Sequence, residues 1–261
     1  MADVAQFRPA RSSEAGRIVE LVRDGFEPSR LELFIYGCHG IAKYVTAQIE
    51  LVGGDTRFFV AERAGEIAGC VELRLFGDRL FLNYIAVTPN ARRGGVARHL
   101  LAAAIAATRT VHHDRFELDV LDDNHAALAW YDELGLEARS VTRWYELALE
   151  PGVPTDEVVV SGFAQAMLLQ RELGFSQLGL IGRARTASVG MLGGRWFRVT
   201  DSDVLFDRDL LARLYAIDPT RRVLALVDAN VRVPERCRAL AATQRRSGKL
   251  AEVVARLERL R

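Results

Sequence analysis

The chain has 261 residues, enough for two domains or one large one, and its formal net charge is only +1. Hydrophobic residues make up 49% and charged residues 26%, which is typical of a globular protein, and no apolar run is long enough to span a membrane. Three scattered cysteines argue against a disulfide framework or a zinc site. The N-terminus also lacks a signal pattern, so we expect a cytoplasmic protein without a membrane partner.

The first 55 residues are predicted to form a short strand and two helices. Residues 7–10 can open a sheet, and Ser12 or Ser13 then caps a helix because apolar residues follow at helical spacing. A second helix is expected over residues 40–51.

Three strands with tight turns follow and predict an antiparallel meander. They cover residues 57–63, 66–75 and 80–87, with turns at Ala64-Gly65 and Gly77-Asp78. Pro89 cannot donate a backbone hydrogen bond, so the third strand is expected to stop near it.

The loop between the third strand and a helix predicted over residues 96–107 is suited to binding an anion. Its two glycines, Gly94 and Gly95, let the backbone turn sharply and approach a ligand. The unpaired N–H groups of the first helical turn attract a phosphate, and Arg92 and Arg93 add positive potential. A dinucleotide-binding Gly-x-Gly-x-x-Gly and a Walker Gly-Lys-Ser/Thr are absent from this chain.

The spacing in this loop resembles motif A of the GNAT superfamily of acyl-CoA N-acyltransferases, usually written Gln/Arg-x-x-Gly-x-Gly/Ala. The matching positions are Arg92, Gly95 and Ala97, just after a strand that ends Ile-Ala-Val-x-Pro. In that family the loop holds the pyrophosphate of coenzyme A.

A second pattern follows the next strand, residues 115–121, and resembles motif B of the same superfamily. Its positions are Asn124, Ala127, Tyr131 and Gly135, about thirty residues after motif A. Together the motifs extend the resemblance over roughly residues 6–150. It implies an α/β (α+β) fold with a mixed, centrally splayed β-sheet flanked by helices.

The resemblance also implies where acetyl-CoA binds. The pantetheine arm would lie between the splayed ends of strands 80–87 and 115–121, held by backbone groups of Ile85, Ala86 and Val87. The remaining cofactor-binding positions would be Arg92, Arg93, Gly94, Gly95, Val96, Ala97, Asn124 and Tyr131.

The motifs suggest catalytic residues but leave alternatives open. Tyr131 lies two helical turns after Asn124 and is a plausible acid for the thiolate, although it could be an ordinary core tyrosine. For the base the sequence gives candidates and no winner: Asp119 is one of them, because relatives often carry an acidic residue in this strand. The other candidates are a water chain and the side chains of Glu72, Asp78, Asp122, His39, His112, His113 and His125.

Three aromatic residues are candidates for the acceptor pocket. Phe34 and Tyr36 lie between the first two helices, a segment that commonly lines this pocket in the resembled family, but both could be core residues. Tyr84 is next to Ile85 and could shape the same pocket.

Pro151 and Pro154 mark a linker, so we predict a GNAT domain over residues 1–150 and an accessory α+β domain over 151–261. The second part is predicted to contain several strands split by glycines, helices over 163–173 and 207–215, and helical sequence from Pro234 onwards. Residues 214–222 faintly resemble the start of motif A, so a degenerate second GNAT unit stays an alternative.

The two parts carry opposite charge: 17 Arg and Lys against 22 Asp and Glu in residues 1–150, and 18 against 12 in the rest. This favours two units that attract each other, with the second part supplying an interface or covering the amine pocket. A chain ending at residue 149 is then expected to keep CoA binding.

The sequence thus predicts an acetyl-CoA-dependent N-acetyltransferase acting on a primary amine of a small molecule or a protein, without a metal. The alternatives are a non-catalytic acyl-CoA-binding regulatory protein and an acetyltransferase targeted by a basic C-terminal module. Nucleic acid is a disfavoured partner because no aromatic-interleaved basic patch is present. A homodimer stays open.

Overall fold

The chain divides into two units, and neither is continuous in sequence. A computed structural model describes residues 5–154, 157–183 and 185–259. Unit 1 lies within residues 1–27, 42–139 and 244–261, and unit 2 consists of 28–41 and 140–243. This division differs from the boundary predicted near residue 150, because the end of the chain packs into unit 1.

The sheet of unit 1 contains the predicted meander. Its strands β1 to β4 are antiparallel, whereas β5 runs parallel to β4. The strand order is β1-β2-β3-β4-β5-β12, with β1 Gln6–Pro9, β2 Thr56–Arg63, β3 Glu66–Phe76, β4 Arg79–Val87, β5 Arg115–Leu121 and β12 Arg238–Lys249, whose C-terminal half lies in this unit.

The helices of unit 1 are α1 Ala15–Arg23, α3 Ile41–Glu50, α4 Val96–Thr108, α5 His125–Glu133 and α8 Leu250–Arg259. On α8, Leu250, Val253 and Leu257 recur at helical spacing and are buried in the same core as α4 and strands β3 to β5. Burial of this apolar stripe explains why the C-terminal segment belongs to unit 1.

The helical sequence predicted from Pro234 onwards is wrong over residues 238–249, which form β12. This stretch is rich in alanine and arginine, which favour a helix. Pairing in the sheet overrides the weak local preference, and Thr243 and Ser247 are buried in the strand.

Unit 2 has its own sheet and its own core. Its strand order is β6-β11-β10-β9-β8-β7, antiparallel except for the parallel pair β10 and β11. Its elements are α2 Pro28–Leu31, β6 Glu137–Ala148, β7 Val159–Ser161, α6 Phe163–Leu173, β8 Phe175–Ile181, β9 Thr186–Leu192, β10 Trp196–Val199, α7 Arg208–Ile217 and β11 Arg222–Asp228.

The two units repeat one order of elements. Unit 1 reads β1-α1-β2-β3-β4-α4-β5, apart from α3, and unit 2 reads β7-α6-β8-β9-β10-α7-β11. In both units a parallel pair is formed by the strands that flank the last helix of this series. The next strand after each series lies mainly or partly in the other unit. Strand β6, which follows the series of unit 1, pairs with β11 in unit 2. Strand β12, which follows the series of unit 2, ends in unit 1. No helix in the described part of the chain is both long and apolar enough to cross a membrane.

Candidate active site

Strands β4 and β5 separate at their C-terminal ends. They pair from Arg79 with Arg115 to Leu82 with Leu118, although β4 continues to Val87 and β5 to Leu121. The register of β3 with β4 also shifts here, so Asn83 is the extra residue of a β-bulge. The edge of β4 beyond Leu82 therefore borders an opening in the sheet.

The predicted pantetheine-binding residues lie along this opening. Ile85, Ala86 and Val87 pair with β3 on one side, in register with Val71, Cys70 and Gly69. Within the described ladder they have no partner in β5, so backbone groups on that edge remain for a ligand.

The loop after β4 is built as the sequence predicts. A short 3₁₀ helix, Pro89–Ala91, is followed by Arg93 and Gly95 in left-handed conformations, with φ of 61° and 73°, and α4 begins at Val96. A Cβ atom at Gly95 would lie 3.2 Å from the ring of His99, whose Nδ1 is 2.9 Å from the Gly95 carbonyl. The close turn therefore requires glycine at this position.

The loop leaves hydrogen-bond donors and space for an anion. His99 makes the first helical bond, N–H to the Gly95 carbonyl at 3.0 Å, so the N–H groups of Val96 and Ala97 come before the hydrogen-bonded part of the helix, at its N-terminal end. A Cβ atom at Gly94 would meet only the Ala91 carbonyl, at 3.6 Å. Arg92 Nε lies 3.4 Å from the Val87 carbonyl, which places this arginine next to the end of β4. These residues fit the pyrophosphate of coenzyme A.

Motif B forms the start and the middle of α5. Asn124 Oδ1 accepts a hydrogen bond from the Ala127 N–H at 3.2 Å, so Asn124 is the N-cap. Tyr131 is buried in the main core of unit 1, and burial raises the pKa of its hydroxyl above the ordinary value. The phenol therefore keeps its proton at neutral pH.

The predicted base, Asp119, is held by an arginine that the sequence analysis did not single out. Arg245 Nη2 lies 2.8 Å from Asp119 Oδ2, and Arg245 Nε bonds to the other oxygen. No local signal relates the two residues, because they are 126 positions apart.

Two other carboxylates are buried on the sheet of unit 1. Glu72 accepts hydrogen bonds from Asn83 Nδ2 at 2.6 Å and from Arg74 Nε at 3.1 Å. Glu117 accepts bonds from Arg79 Nη1 and Ser247 Oγ, both at 3.3 Å. Beside them lies a pocket of about 250 Å³, lined by Arg74, Phe76, Arg79, Phe81, Asn83, Glu117 and Arg245.

The three aromatic residues predicted for the acceptor pocket fall in different units. Tyr84, in unit 1, is opposite Glu72 in the sheet and packs edge-on against Phe26, with ring centroids 6.3 Å apart. Phe34 and Tyr36 belong to unit 2, where Phe34 lies 5.1 Å from the ring of Trp144 and Tyr36 is fully buried.

Comparison with known proteins is consistent with these features. Residues 23–136 match the Acetyltransferase (GNAT) family. A 5-NmdU N-acetyltransferase from Pseudomonas phage PaMx11 is 36% identical over 78 residues, which cover 29% of this chain and 54% of that protein. The chain therefore spans about half the length of this curated relative.

Two solved structures share the fold over 94% of this chain. One is a GCN5-related N-acetyltransferase from Sphaerobacter thermophilus, with a TM-score of 0.61, 13% identity and 95% of that chain covered. The other is a tandem GNAT protein from the clavulanic acid biosynthesis pathway, with a TM-score of 0.63, 12% identity and 98% covered. Residues 23–136, which contain the splayed strands, the glycine loop and the four motif B positions, are thus a GNAT acetyltransferase domain.

Proposed function

We propose that the chain is an acetyl-CoA-dependent N-acetyltransferase that acetylates a primary amine of a small molecule or a protein within a ternary complex. One observation carries the proposal. The opening between β4 and β5 lies directly before a glycine loop that leads into the N-terminus of α4, a position that favours an anion. This is the arrangement needed to hold a long thioester with its phosphates at one end.

Different residues of unit 1 would bind different parts of acetyl-CoA. The backbone of residues 93–97 would bind the pyrophosphate, assisted by the positive charge of Arg92 and Arg93. Backbone groups of residues 85–87 would form hydrogen bonds with the extended pantetheine arm, in the way that a sheet edge binds an added strand.

Acetyl-CoA supplies an activated thioester carbonyl. A backbone N–H at the opening would stabilise negative charge on the carbonyl oxygen. A neutral amine attacks the carbonyl carbon, so that a C–N bond forms and the C–S bond breaks. Tyr131 would donate its proton to the departing thiolate, and the proton released by the amine passes to Asp119, another carboxylate or solvent.

The test separates an enzyme from a regulatory protein that only binds acyl-CoA. Calorimetry measures CoA affinity, and thiol release from acetyl-CoA in the presence of a panel of primary amines measures turnover. We expect CoA to bind and thiol release to depend on both the amine and the enzyme. CoA binding without amine-dependent thiol release would favour the regulatory alternative, and absence of CoA binding would reject both.

A further inference from the structure

We propose that the acceptor amine also carries an anionic group, a carboxylate or a phosphate, which binds the guanidinium groups of the pocket on the sheet of unit 1. This inference rests on the proposed acetyl transfer and specifies the class of its second substrate. We call the site the arginine pocket; its lining residues are Arg74, Phe76, Arg79, Phe81, Asn83, Glu117 and Arg245.

In the arginine pocket the arginine side chains are more exposed to a ligand than the buried glutamates, although acidic residues are as frequent as arginines around it. The side chains of Glu72 and Glu117 are only 4% and 10% exposed, because they lie beneath the arginines. The side chains of the three arginines are much more exposed, at 29% for Arg74, 42% for Arg79 and 38% for Arg245. A ligand in the pocket therefore meets guanidinium groups, not the buried carboxylates.

The buried glutamates hold these guanidinium groups in place. Glu117 is 3.3 Å from Arg79 Nη1 and 3.7 Å from Arg245 Nη1, and Glu72 accepts from Arg74 Nε. Arg245 also gives Nε and Nη2 to Asp119. Each guanidinium has five N–H donors in a fixed fork, so each keeps donors beyond those that these contacts use. The remaining donors are pre-organised for a planar or tetrahedral anion, and such charge-assisted bonds are among the strongest.

The rim of the arginine pocket offers a place for the ammonium end of the same molecule. Asp119 is 41% exposed, and it follows the last paired residue of β5 at the opening of the sheet. This end is close to the arginines, because Arg245 Nη2 of the pocket lies 2.8 Å from Asp119 Oδ2. The site therefore suits a small zwitterion.

The wall between the two ends is apolar. Phe76 and Phe81 pack edge-on with ring centroids 6.1 Å apart, and the Arg245 guanidinium lies 5.0 Å from the centroid of the Phe81 ring. The cation–π contact further fixes Arg245. The rings provide a surface for the carbon chain between the amine and the anionic group.

Matched amines with and without an anion test the proposal. The pairs are 5-aminovalerate with n-pentylamine, and O-phosphoethanolamine with ethanolamine. Calorimetry on the full chain saturated with CoA measures their binding, and thiol release from acetyl-CoA measures kcat/KM. We expect the anionic member of at least one pair to bind at least about tenfold more tightly, as loss of a charge-assisted hydrogen bond implies. The pair that responds identifies the anion as carboxylate or phosphate.

Variants assign the effect to the arginine pocket. Arg79→Gln should remove most of the preference for the anionic member, and Arg79→Lys and Arg245→Lys, which keep the charge on Glu117 compensated, should reduce it. CoA affinity should be unchanged in all three. Arg139→Gln is the control, because Arg139 is an exposed arginine of the same unit, 3.0 Å from Glu137 and outside the pocket.

Three results would overturn the inference: neutral amines bind as well as anionic ones, neither anionic amine binds while CoA does, or the variants weaken both members of a pair equally. Failure of the proposed function looks different, since CoA would then not bind or no amine would promote thiol release.

Discussion

Arg245 Nη2 is 2.8 Å from Asp119 Oδ2, although 126 residues separate the two in sequence. The adjacent residues of β12 make similar long-range contacts, since Ser247 Oγ donates to Glu117 and Arg246 bonds to Asp132. Residues 244–259 are thus a structural part of unit 1, next to its candidate active site.

Removal of helix α8 is expected to unfold unit 1. A chain ending at Lys249 loses Leu250, Val253 and Leu257, which are all buried in the main core. Loss of three large apolar contacts costs more than a typical domain can tolerate. CoA binding by calorimetry and the far-UV circular dichroism melt should both show the loss. A chain ending at residue 149 lacks the same helix, so the structure leads us to expect that it loses CoA binding, unlike the prediction from the sequence alone.

A single substitution in α8 tests the same core contacts without shortening the chain. Leu257→Ala should lower the free energy of unfolding by about 2–5 kcal/mol, because it leaves a cavity in the core. Glu258→Ala on the exposed face of the same helix is the control. Equal effects of the two substitutions in urea titrations would contradict the assignment of α8 to the core.

The elements proposed to bind CoA are predictable because their signals are local. The third strand and the helix after it were predicted over residues 80–87 and 96–107, and the structure has Arg79–Val87 and Val96–Thr108. Apolar alternation, a strand-ending proline and a glycine pair before a helix act within a few residues. The left-handed backbone at Gly95 is the physical reason for that glycine.

The partners of β12 could not be predicted in the same way. Composition favours a helix there, and the strand forms only because sheet partners far away in sequence pair with it. The contact of Arg245 with Asp119 and the arginine pocket depend on this pairing. Only the strongly amphipathic spacing of Leu250, Val253 and Leu257 was visible in the sequence as a sign of a packed C-terminal helix.

Gly94→Asp should abolish detectable CoA binding without unfolding the chain. Gly94 has room for a side chain and a backbone that other residues adopt, so a carboxylate there adds repulsion to a pyrophosphate without conformational strain. Gly95→Asp should also abolish binding, but it adds strain at a φ of 73° and a contact with His99.

Two matched variants separate charge from shape. Gly94→Ala should retain most of the CoA affinity, because its Cβ meets only one atom, at 3.6 Å. Gly53→Asp, at a φ of 77° with nothing within 4 Å, measures backbone strain away from the loop. If Gly94→Asp binds CoA with wild-type affinity while folded, the pyrophosphate lies elsewhere.

Tyr131→Phe should lower kcat by roughly ten- to a thousand-fold, the range for loss of a general acid, with little change in CoA affinity. Burial raises the folded-state pKa of this tyrosine above its unfolded value of about 10. Any contribution of its titration to activity or stability is therefore fully present below about pH 10 and is lost only as the pH rises further.

The measurement is steady-state thiol release from pH 6 to 10. Tyr145→Phe, a tyrosine of unit 2, is the control for general effects of removing a phenol. Wild-type turnover in Tyr131→Phe would assign the tyrosine to core packing alone.

Glu146→Gln should destabilise unit 2 by about 1–3 kcal/mol at pH 7, the range for hydrogen bonds to charged groups. Burial alone would raise the pKa of Glu146, but hydrogen bonds from Arg222 and Arg238 outweigh it and lower the pKa. A lowered folded-state pKa stabilises the fold above the unfolded value of about 4.3, and this stabilisation is lost as the pH falls through the folded pKa.

The difference between wild type and Glu146→Gln in urea titrations should therefore shrink from pH 7 to pH 3. Glu150→Gln is the control, because Glu150 is 72% exposed and its pairing with Arg236 at 2.9 Å is expected to contribute little. A difference that is constant over this pH range would show that the charge of Glu146 does not stabilise the fold.

Unit 2 repeats the element order of unit 1, but a capping aspartate stands before its helix at the position where unit 1 has the glycine loop. Helix α7 follows the central parallel strand β10 as α4 follows β4. Asp207 stands before α7 where Gly95 stands before α4, and its carboxylate accepts the N–H groups of Asp209 at 3.1 Å and Leu210 at 3.0 Å.

The same loop of unit 2 adds further negative charge. Arg185 lies 2.8 Å from Asp203 and 3.8 Å from Asp201, so these acids are held close together before the helix. A pyrophosphate would compete with Asp207 for the helix donors and would meet carboxylates where unit 1 offers Arg92 and Arg93.

We therefore expect one CoA per chain. Calorimetric titration of a known concentration of the full chain should give a stoichiometry near one for wild type, and Gly94→Asp should leave no binding. Asp207→Ala should cost about 0.5–2 kcal/mol of stability through loss of the helix cap, and the stoichiometry should remain one because Asp201 and Asp203 persist. Two CoA molecules per chain, or one that survives Gly94→Asp, would mean that the acidic loop of unit 2 binds the nucleotide despite its charge.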